Sequence, residues 1–300
     1  SEISGGLVGS ELCIRDRNSF DHTSYRAELT WTPTENGMVY ITQSTANRAP
    51  IILTANDRIA LANGGVEQVG DVDAAELSNF EIGTKWTLGD GRLQVEAAYV
   101  IGDWQDIPLW AQVMVPGNPV SMPIGGTDAD VTSTELALTW AVSDSLQIDY
   151  AFAYTDTEVT AIPEPGTVSN YPGAIRVGGS LYNYSPQTHN IGVNWNRDDV
   201  VNGWGMYLSA NYVSRDRVDG INPFRAPDAY VPASARYQNL MLNFGVTKGP
   251  WDLVFSIANA GDHDGQYLPR TSLGGSDAQL FGLIQQPTTY TLQVSYDGMP

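Results

Sequence analysis

The segment 76–104 alternates between apolar and polar side chains on both sides of a tight turn. The turn is Gly89-Asp90-Gly91, and glutamate, lysine, glutamine and glycine fill most of the polar positions. A period of two residues predicts two β-strands, each with one apolar and one polar face, joined as an antiparallel hairpin. The apolar positions are Phe80, Ile82, Trp86, Leu88, Leu93, Val95, Ala97, Tyr99 and Ile101.

The same alternation recurs along the chain and predicts about eleven strands and an all-β fold. Since all-β folds of this length are often single units, we expect one unit over 21–300 and an irregular segment over 1–20. The remaining strands are expected at 25–31, 38–45, 136–142, 146–154, 191–195, 204–212, 240–246, 251–257 and 290–296.

The connections between these strands alternate between short and long. Connections in compact soluble domains run to about 4–6 residues, so a series of long loops at one end is unusual there. Short turns at one rim and long loops at the other are typical of an antiparallel transmembrane β-barrel, whose turns face the periplasm. The long connections are 46–77, 103–130, 159–187, 215–235 and 260–287.

Tryptophan positions favour the same interpretation. All but two of the 8 tryptophans lie beside short turns on the apolar parity, the exceptions being Trp104 and Trp110. Indole rings prefer the membrane interface, so we expect the others to form an aromatic girdle on the periplasmic side. The alternative is a soluble β-sandwich with tryptophan in its core, which gives no reason to confine these residues to one rim. The predicted girdle is Trp31, Trp86, Trp140, Trp195, Trp204 and Trp251.

Composition removes several function classes. The net charge of −19 opposes binding of nucleic acid, and the single cysteine permits no internal disulfide. The 3 histidines have no nucleophile placed for catalysis, so we expect no enzymatic activity and no cofactor. Asp262-His263-Asp264-Gly265 lacks most ligands of a calcium loop, so we predict a turn there and no metal site.

The expected strand directions indicate that the barrel is incomplete. The first and the last predicted strand both run from the long-loop end towards a short turn, whereas bacterial single-chain barrels have an even number of strands. We therefore expect missing upstream strands. The alternative is an overlooked strand within 1–20 or around 105–115.

Four stretches resemble the C-terminal part of TonB-dependent outer-membrane receptors. The most specific is 76–107, in which Glu76, Asn79, Glu81, Gly83, Lys85, Arg92 and Asp106 match the family pattern. The other three are 27–50, 132–160 and 251–262.

This resemblance implies ligand-gated, energy-coupled uptake of a scarce nutrient across the bacterial outer membrane, most often a ferric siderophore, otherwise haem, cobalamin or a glycan. It implies outer-membrane lipid, a plug domain and the TonB energy-coupling complex as partners, and a complete barrel of about 22 strands. The chain contains no plug of the family type. The alternatives are a passive porin-like barrel and a soluble extracellular β-protein that binds sugars.

Two sets of residues are candidates for contacts within such a receptor. We expect the polar parity to face the lumen and the plug, through Arg26, Glu28, Glu81, Lys85, Glu96, Glu135 and Asp149. Ligand contacts are expected in the long loops, where aromatic and cationic groups can stack on or pair with an anionic ligand. These candidates are Arg48, Trp110, Tyr182, Tyr184, Arg215, Arg225 and Tyr230.

The segment 1–20 does not share the pattern of the rest. Residues 7–17 show no period and do not fit the family, so either this is an extracellular loop or it is a sequence artefact. In both cases we assign no function to Cys13.

Overall fold

The structure is a computed structural model of the chain. It describes residues 20, 22–63, 71–115, 118–162, 177–181, 185–217, 236–264, 266–271 and 280–298. The irregular N-terminal segment therefore lies almost wholly outside the described residues, and its two interpretations stay open.

Eleven strands form one antiparallel sheet in which each strand pairs with the next strand of the sheet along the chain. This arrangement confirms the all-β prediction and the expected number of strands. The strands are β1 (Arg26–Thr34), β2 (Gly37–Arg48), β3 (Ala75–Leu88), β4 (Leu93–Val115), β5 (Asn118–Ser143), β6 (Leu146–Ala161), β7 (Gln187–Val201), β8 (Trp204–Arg215), β9 (Tyr237–Lys248), β10 (Trp251–Ala258) and β13 (Thr289–Tyr296).

Short connections lie at one end of the sheet, which we call the short-turn rim. They join β1 to β2, β3 to β4, β5 to β6, β7 to β8 and β9 to β10. Asn202 and Gly203 form one of the two-residue connections, with φ angles of 55° and 77°. Positive φ at both central residues matches the right-handed twist of the flanking strands, which is why Asn-Gly closes this hairpin.

The opposite end of the sheet, the long-loop end, departs from the sequence prediction in two places. The segment 103–130, expected to be a loop, is a continuation of β4 and β5 into a long hairpin, so 105–115 adds no strand to the sheet. A further hairpin, β11 (Gln266–Thr271) with β12 (Leu280–Ile284), lies in the connection expected at 260–287. Strands β11 and β12 form a separate two-stranded sheet, so β10 pairs with β13.

The connection between β2 and β3 contains helix α1 (Ala55–Asn63). Thr54 and Asp57 cap its start reciprocally: Asp57 Oδ2 accepts from the Thr54 backbone N–H at 2.9 Å, and Thr54 Oγ1 accepts from the Asp57 N–H at 3.2 Å. An ion pair between Arg58 and Asp71 then ties the helix to the returning chain. No helix in the described part of the chain is long and apolar enough to cross a membrane.

Several buried apolar residues lie at the long-loop end of the sheet. Ile107, Ala129 and Val159 form one cluster at the base of the β4–β5 hairpin, against Trp104 and neighbouring loop residues. A sheet one layer thick has no opposing layer to bury either face, so its outward apolar side chains remain exposed.

The sheet is open within the described residues. Strands β1 and β13 each pair with one neighbour, and every residue of β1 is exposed. An unpaired strand edge cannot persist in hydrocarbon, because its backbone groups have no partner there. The described sheet is therefore part of a larger barrel, as the strand directions predicted.

Candidate functional site

The strand register divides the sheet into two chemically distinct faces. Glu28 lies opposite Thr42, which lies opposite Glu81, and these residues define the polar face. The neighbouring positions Leu29 and Ile41 pair with each other on the apolar face. Because paired residues share a face, the register also places the other predicted lumen residues, Arg26, Lys85, Glu96, Glu135 and Asp149, on the polar face.

Ion pairs and hydrogen bonds link many of these polar side chains, both within one strand and between neighbouring strands. Arg26 Nη2 donates to Glu28 Oε2 at 2.8 Å, and Thr42 Oγ1 donates to the same oxygen at 3.4 Å. Asp149 accepts from Gln147 Nε2 at 2.9 and 3.0 Å and from Asn194 Nδ2 at 3.3 Å. The carboxylates of Glu28 and Asp149 thus have partners although they are solvated.

A concavity of about 530 Å³ lies on the polar face between β2 and β7. We call it the acidic groove, because Glu81, Glu96 and Glu135 line it and Lys85 is the one cation among the described residues on its wall. Lys85 Nζ lies 2.8 Å from Glu96 Oε2, and Tyr40 donates its hydroxyl to Glu81. Glu135 makes no hydrogen bond or ion pair within the described part of the chain, so its carboxylate is available to a partner.

Two tyrosines of the polar face lie across glycines of the next strand. Tyr40 is opposite Gly83, where an added Cβ would lie 2.4 Å from the tyrosine ring. Tyr207 is opposite Gly245, where the same distance is 2.0 Å, and its hydroxyl reaches Asp252 Oδ1 at 3.3 Å. The sequence analysis missed both pairs. The sequence signal for such a pair is a glycine among the polar positions of a strand, because a strand glycine indicates that another group packs closely against the backbone.

The six predicted girdle tryptophans all lie in the half of the sheet nearest the short-turn rim. Trp31, Trp140, Trp204 and Trp251 are exposed on the apolar face. Trp86 is half-buried because its ring covers Gly37 of the adjacent strand. Trp195 lies farther from its turn than expected, because β7 continues to Val201, but it is level with Leu146 at the start of β6.

The predicted ligand residues are only partly within the described chain. Tyr182, Tyr184, Arg225 and Tyr230 lie outside the described residues. Arg48 is the last residue of β2, Arg215 the last of β8, and Trp110 lies in the extended part of β4. The guanidinium of Arg215 lies 5.8 Å from the ring centroid of Tyr237. Five strands separate Arg48 from Arg215 in the sheet order, so the described residues do not bring these two together.

An acidic pair at the base of the β4–β5 hairpin was also missed by the sequence analysis. Asp106 has a φ of 52°, and its backbone N–H donates to Asp128 Oδ1 at 2.9 Å. A tilted strand needs roughly ten residues to cross a bilayer. Asp106 is farther than this along β4 from the short-turn rim, so it lies outside the membrane-spanning part of the strand. Burial, and then the charges of Asp128 and Asp73, raise the pKa of the Asp106 carboxyl.

The segment predicted to be a turn after β10 is organised by a buried asparagine. Asn259, with a φ of 50°, donates from Nδ2 to the backbone oxygens of His263 at 2.9 Å and Gln286 at 2.8 Å. Its Oδ1 accepts from the His263 N–H at 3.1 Å. Among the described residues, no group of three or more His, Cys, Asp or Glu side chains is placed to hold a metal ion.

Sequence comparison relates most of the chain to one family. The family model described as "TonB dependent receptor-like, beta-barrel" matches residues 4–260. The probable TonB-dependent siderophore receptor PiuA of Acinetobacter baumannii is 30% identical over 260 residues, which are 85% of this chain and 32% of PiuA. The chain thus spans about a third of the length of that relative.

Solved structures share the fold. The crystal structure of PiuA from Acinetobacter baumannii superposes with a TM-score of 0.66 and 20% identity, covering 91% of this chain and 35% of that one. The ferric yersiniabactin uptake receptor FyuA from Yersinia pestis gives a TM-score of 0.64 and 14% identity, covering 91% and 37%. In both, this chain corresponds to part of a larger chain.

Proposed function

Because the chain belongs to the family of TonB-dependent receptor β-barrels, we propose that the complete protein performs ligand-gated, energy-coupled uptake. The chain is part of a β-barrel of the bacterial outer membrane. In this role it supplies part of the barrel wall, and the activity is transport without catalysis. The family and its location are incompatible with the soluble sugar-binding alternative.

One observation carries the proposal beyond family membership: the polar face holds an acidic groove where a plug would lie. A passive pore needs only a solvated wall, whereas a gated receptor needs a wall that binds a removable domain. Glu81 and Glu96 are already paired within the wall, and Glu135 is left for a partner of opposite charge. This arrangement favours a lumen occupied by a plug with cationic side chains.

We take a ferric siderophore as the ligand. PiuA is described as a siderophore receptor and FyuA as a receptor for ferric yersiniabactin uptake, and both resemble this chain over most of its length. The ligand would bind at the long-loop end, near Arg48, Trp110 and Arg215 and the loop residues Tyr182, Tyr184, Arg225 and Tyr230. Arginine and aromatic groups suit an anionic, often aromatic iron chelate.

Radioactive iron uptake tests the proposal directly. The complete gene is expressed in a strain without its own siderophore receptors, and uptake from a panel of ferric siderophores is measured with and without a working TonB. We expect saturable uptake of at least one member of the panel, lost when TonB is deleted.

A passive pore would behave differently in the same assay. Its uptake would rise linearly with concentration and would be unchanged by deletion of TonB. That result, or the absence of uptake for every siderophore tested while the protein is present in the outer membrane, would contradict the proposal.

A further inference from the structure

The chain has only two lysines, and the structure gives them opposite surroundings. Lys85 lies on the polar face, in an ion pair with Glu96. Lys248, the last residue of β9, lies opposite Trp251 of β10 on the apolar face at the short-turn rim. It makes no ion pair with a carboxylate of the described residues, although the chain carries 34 acidic residues.

Aromatic residues lie on the strands to both sides of Lys248. Its Nζ lies 4.7 Å from the ring centroid of Trp204 on β8. Trp251 stands on the other side and packs against Tyr296 of β13, with ring centroids 4.7 Å apart. A ring face attracts the ammonium but accepts few of its hydrogen bonds, so the donors of Lys248 have no acceptor among the described residues.

A second cation lies close by on the same face. Arg197 of β7 is opposite Met206, and Met206 is opposite Val246, two residues before Lys248. Arg197 and Lys248 lie two strands apart and are offset by two residues along the strand, so their Cα atoms are about 12 Å apart. At this distance, two long side chains can reach the same lipid headgroup. Arg197 is exposed.

We propose that Arg197, Trp204, Lys248, Trp251 and Tyr296, here called the Lys248 cluster, bind the phosphate of an anionic phospholipid in the periplasmic leaflet of the outer membrane. The short-turn rim of a barrel faces the periplasm, so the cluster lies at the headgroup level of that leaflet. Lys248 and Arg197 donate to the phosphate, and the indole rings flank it. This role is separate from ligand uptake.

The residues above the cluster identify a lipid rather than a free anion. The apolar face continues from the rim towards the membrane centre through Phe244, Leu253 and Phe255, all of them exposed. A phospholipid whose phosphate is held at Lys248 would lay its acyl chains on these side chains. Inorganic phosphate would gain nothing from them. Each lysine or arginine close to an anionic lipid surface contributes about 1 kcal/mol to the attraction between protein and lipid.

Native mass spectrometry of the complete receptor, purified in detergent, tests the site. The receptor is titrated with phosphatidylglycerol and, separately, with phosphatidylcholine of the same acyl chains. We expect tighter binding of phosphatidylglycerol, and Lys248→Gln should weaken it by about fivefold while leaving phosphatidylcholine unchanged.

Arg92→Gln is the matched control. Arg92 is also a cation at the short-turn rim, but it is paired with Asp144 at 3.3 Å, so its loss should leave lipid binding unchanged. The proposal is overturned if the wild type does not prefer phosphatidylglycerol, if Lys248→Gln binds as the wild type does, or if Arg92→Gln weakens binding equally. Displacement of the lipid by inorganic phosphate would also overturn it, in favour of a free-anion site. The wild-type comparison stands even if a variant does not assemble.

Discussion

At the scale of single residues, glycine and tyrosine act as a pair on the polar face. The ring of Tyr40 occupies the space that a side chain at position 83 would need, and its hydroxyl then reaches Glu81. Glycine in a strand loses packing and costs conformational entropy. The tyrosine offsets this by covering the exposed backbone and by holding a carboxylate at the wall of the acidic groove.

Replacing Gly83 by alanine should therefore destabilise the barrel. The added Cβ would lie 2.4 Å from the Tyr40 ring, so the tyrosine must move and its bond to Glu81 is lost. We expect the free energy of unfolding to fall by about 1–3 kcal/mol. The complete receptor should then unfold at a lower temperature, which its heat-dependent gel mobility measures.

Gly192→Ala provides the comparison for this change. Gly192 lies on the same face, but there a Cβ would meet Asp149 at 3.4 Å, an ordinary contact. A Gly83 variant that unfolds at the same temperature as the Gly192 variant would show that the Tyr40 ring is not held in this position.

At the scale of elements, the β4–β5 hairpin is distinguished by the kink at its base. The pairing shifts register between Trp104 and Ile107, and Asp106 takes up the irregularity with a positive φ. Such a bulge inserts an unpaired residue and bends the strand. It turns the hairpin so that Ile107 enters the buried cluster with Ala129 and Val159.

The raised pKa of Asp106 makes the hairpin base sensitive to pH. The Asp106 carboxyl holds its proton to a higher pH in the folded protein than in the unfolded chain. The contribution of this group to the stability of the hairpin base is therefore greatest below its ordinary pKa of 3.8. Stability falls as pH rises through the window from 3.8 to the raised folded pKa, and it stays lower above it. Asp106→Asn should remove this dependence and increase hydrogen-exchange protection of the hairpin base at neutral pH, because asparagine is neutral and also tolerates positive φ.

The test compares exchange at about pH 4 and about pH 7, a range that spans the titration of a raised carboxyl. Asp103→Asn makes the same charge change at an exposed position of the same strand and should alter protection little. Equal protection of wild type and Asp106→Asn at both pH values would contradict the proposal that the ionised Asp106 carboxylate destabilises the hairpin base.

At the scale of the whole molecule, the two faces of one sheet perform different tasks. The apolar face, which we propose meets lipid, carries the tryptophans and the Lys248 cluster. The polar face carries the acidic groove, whose Glu135 carboxylate has no partner in the described chain. Under the proposed function, a plug domain would cover this groove in the complete protein.

Glu135→Gln should weaken the hold of the barrel on its plug. Loss of one charge from a buried contact with a cationic group costs about 2 kcal/mol or more. In the purified complete receptor, the plug of this variant should become susceptible to protease at a lower urea concentration than in the wild type. Asp144→Asn, which neutralises a carboxylate at the exposed rim, should leave the transition unchanged. Identical transitions for the wild type and the Glu135 variant would remove this residue from the plug contact.

The sequence by itself determined about how many strands the sheet has and which positions of each predicted strand are apolar or polar. Alternation is a local property, so Trp31 could be placed on the apolar face and Glu28 on the polar face without knowledge of the pairing. The strand directions likewise predicted an incomplete barrel, because each tight turn reverses the chain once.

Only the tertiary structure decided what happens where the alternation fails or where distant strands meet. The bulge at Asp106 breaks the period of two, and this concealed the extension of β4 and β5. Helix α1 depends on the cap at Thr54 and on an ion pair with Asp71, beyond its own end. The acidic groove and the Lys248 cluster depend on register between separate strands, a property of pairing that no single strand encodes.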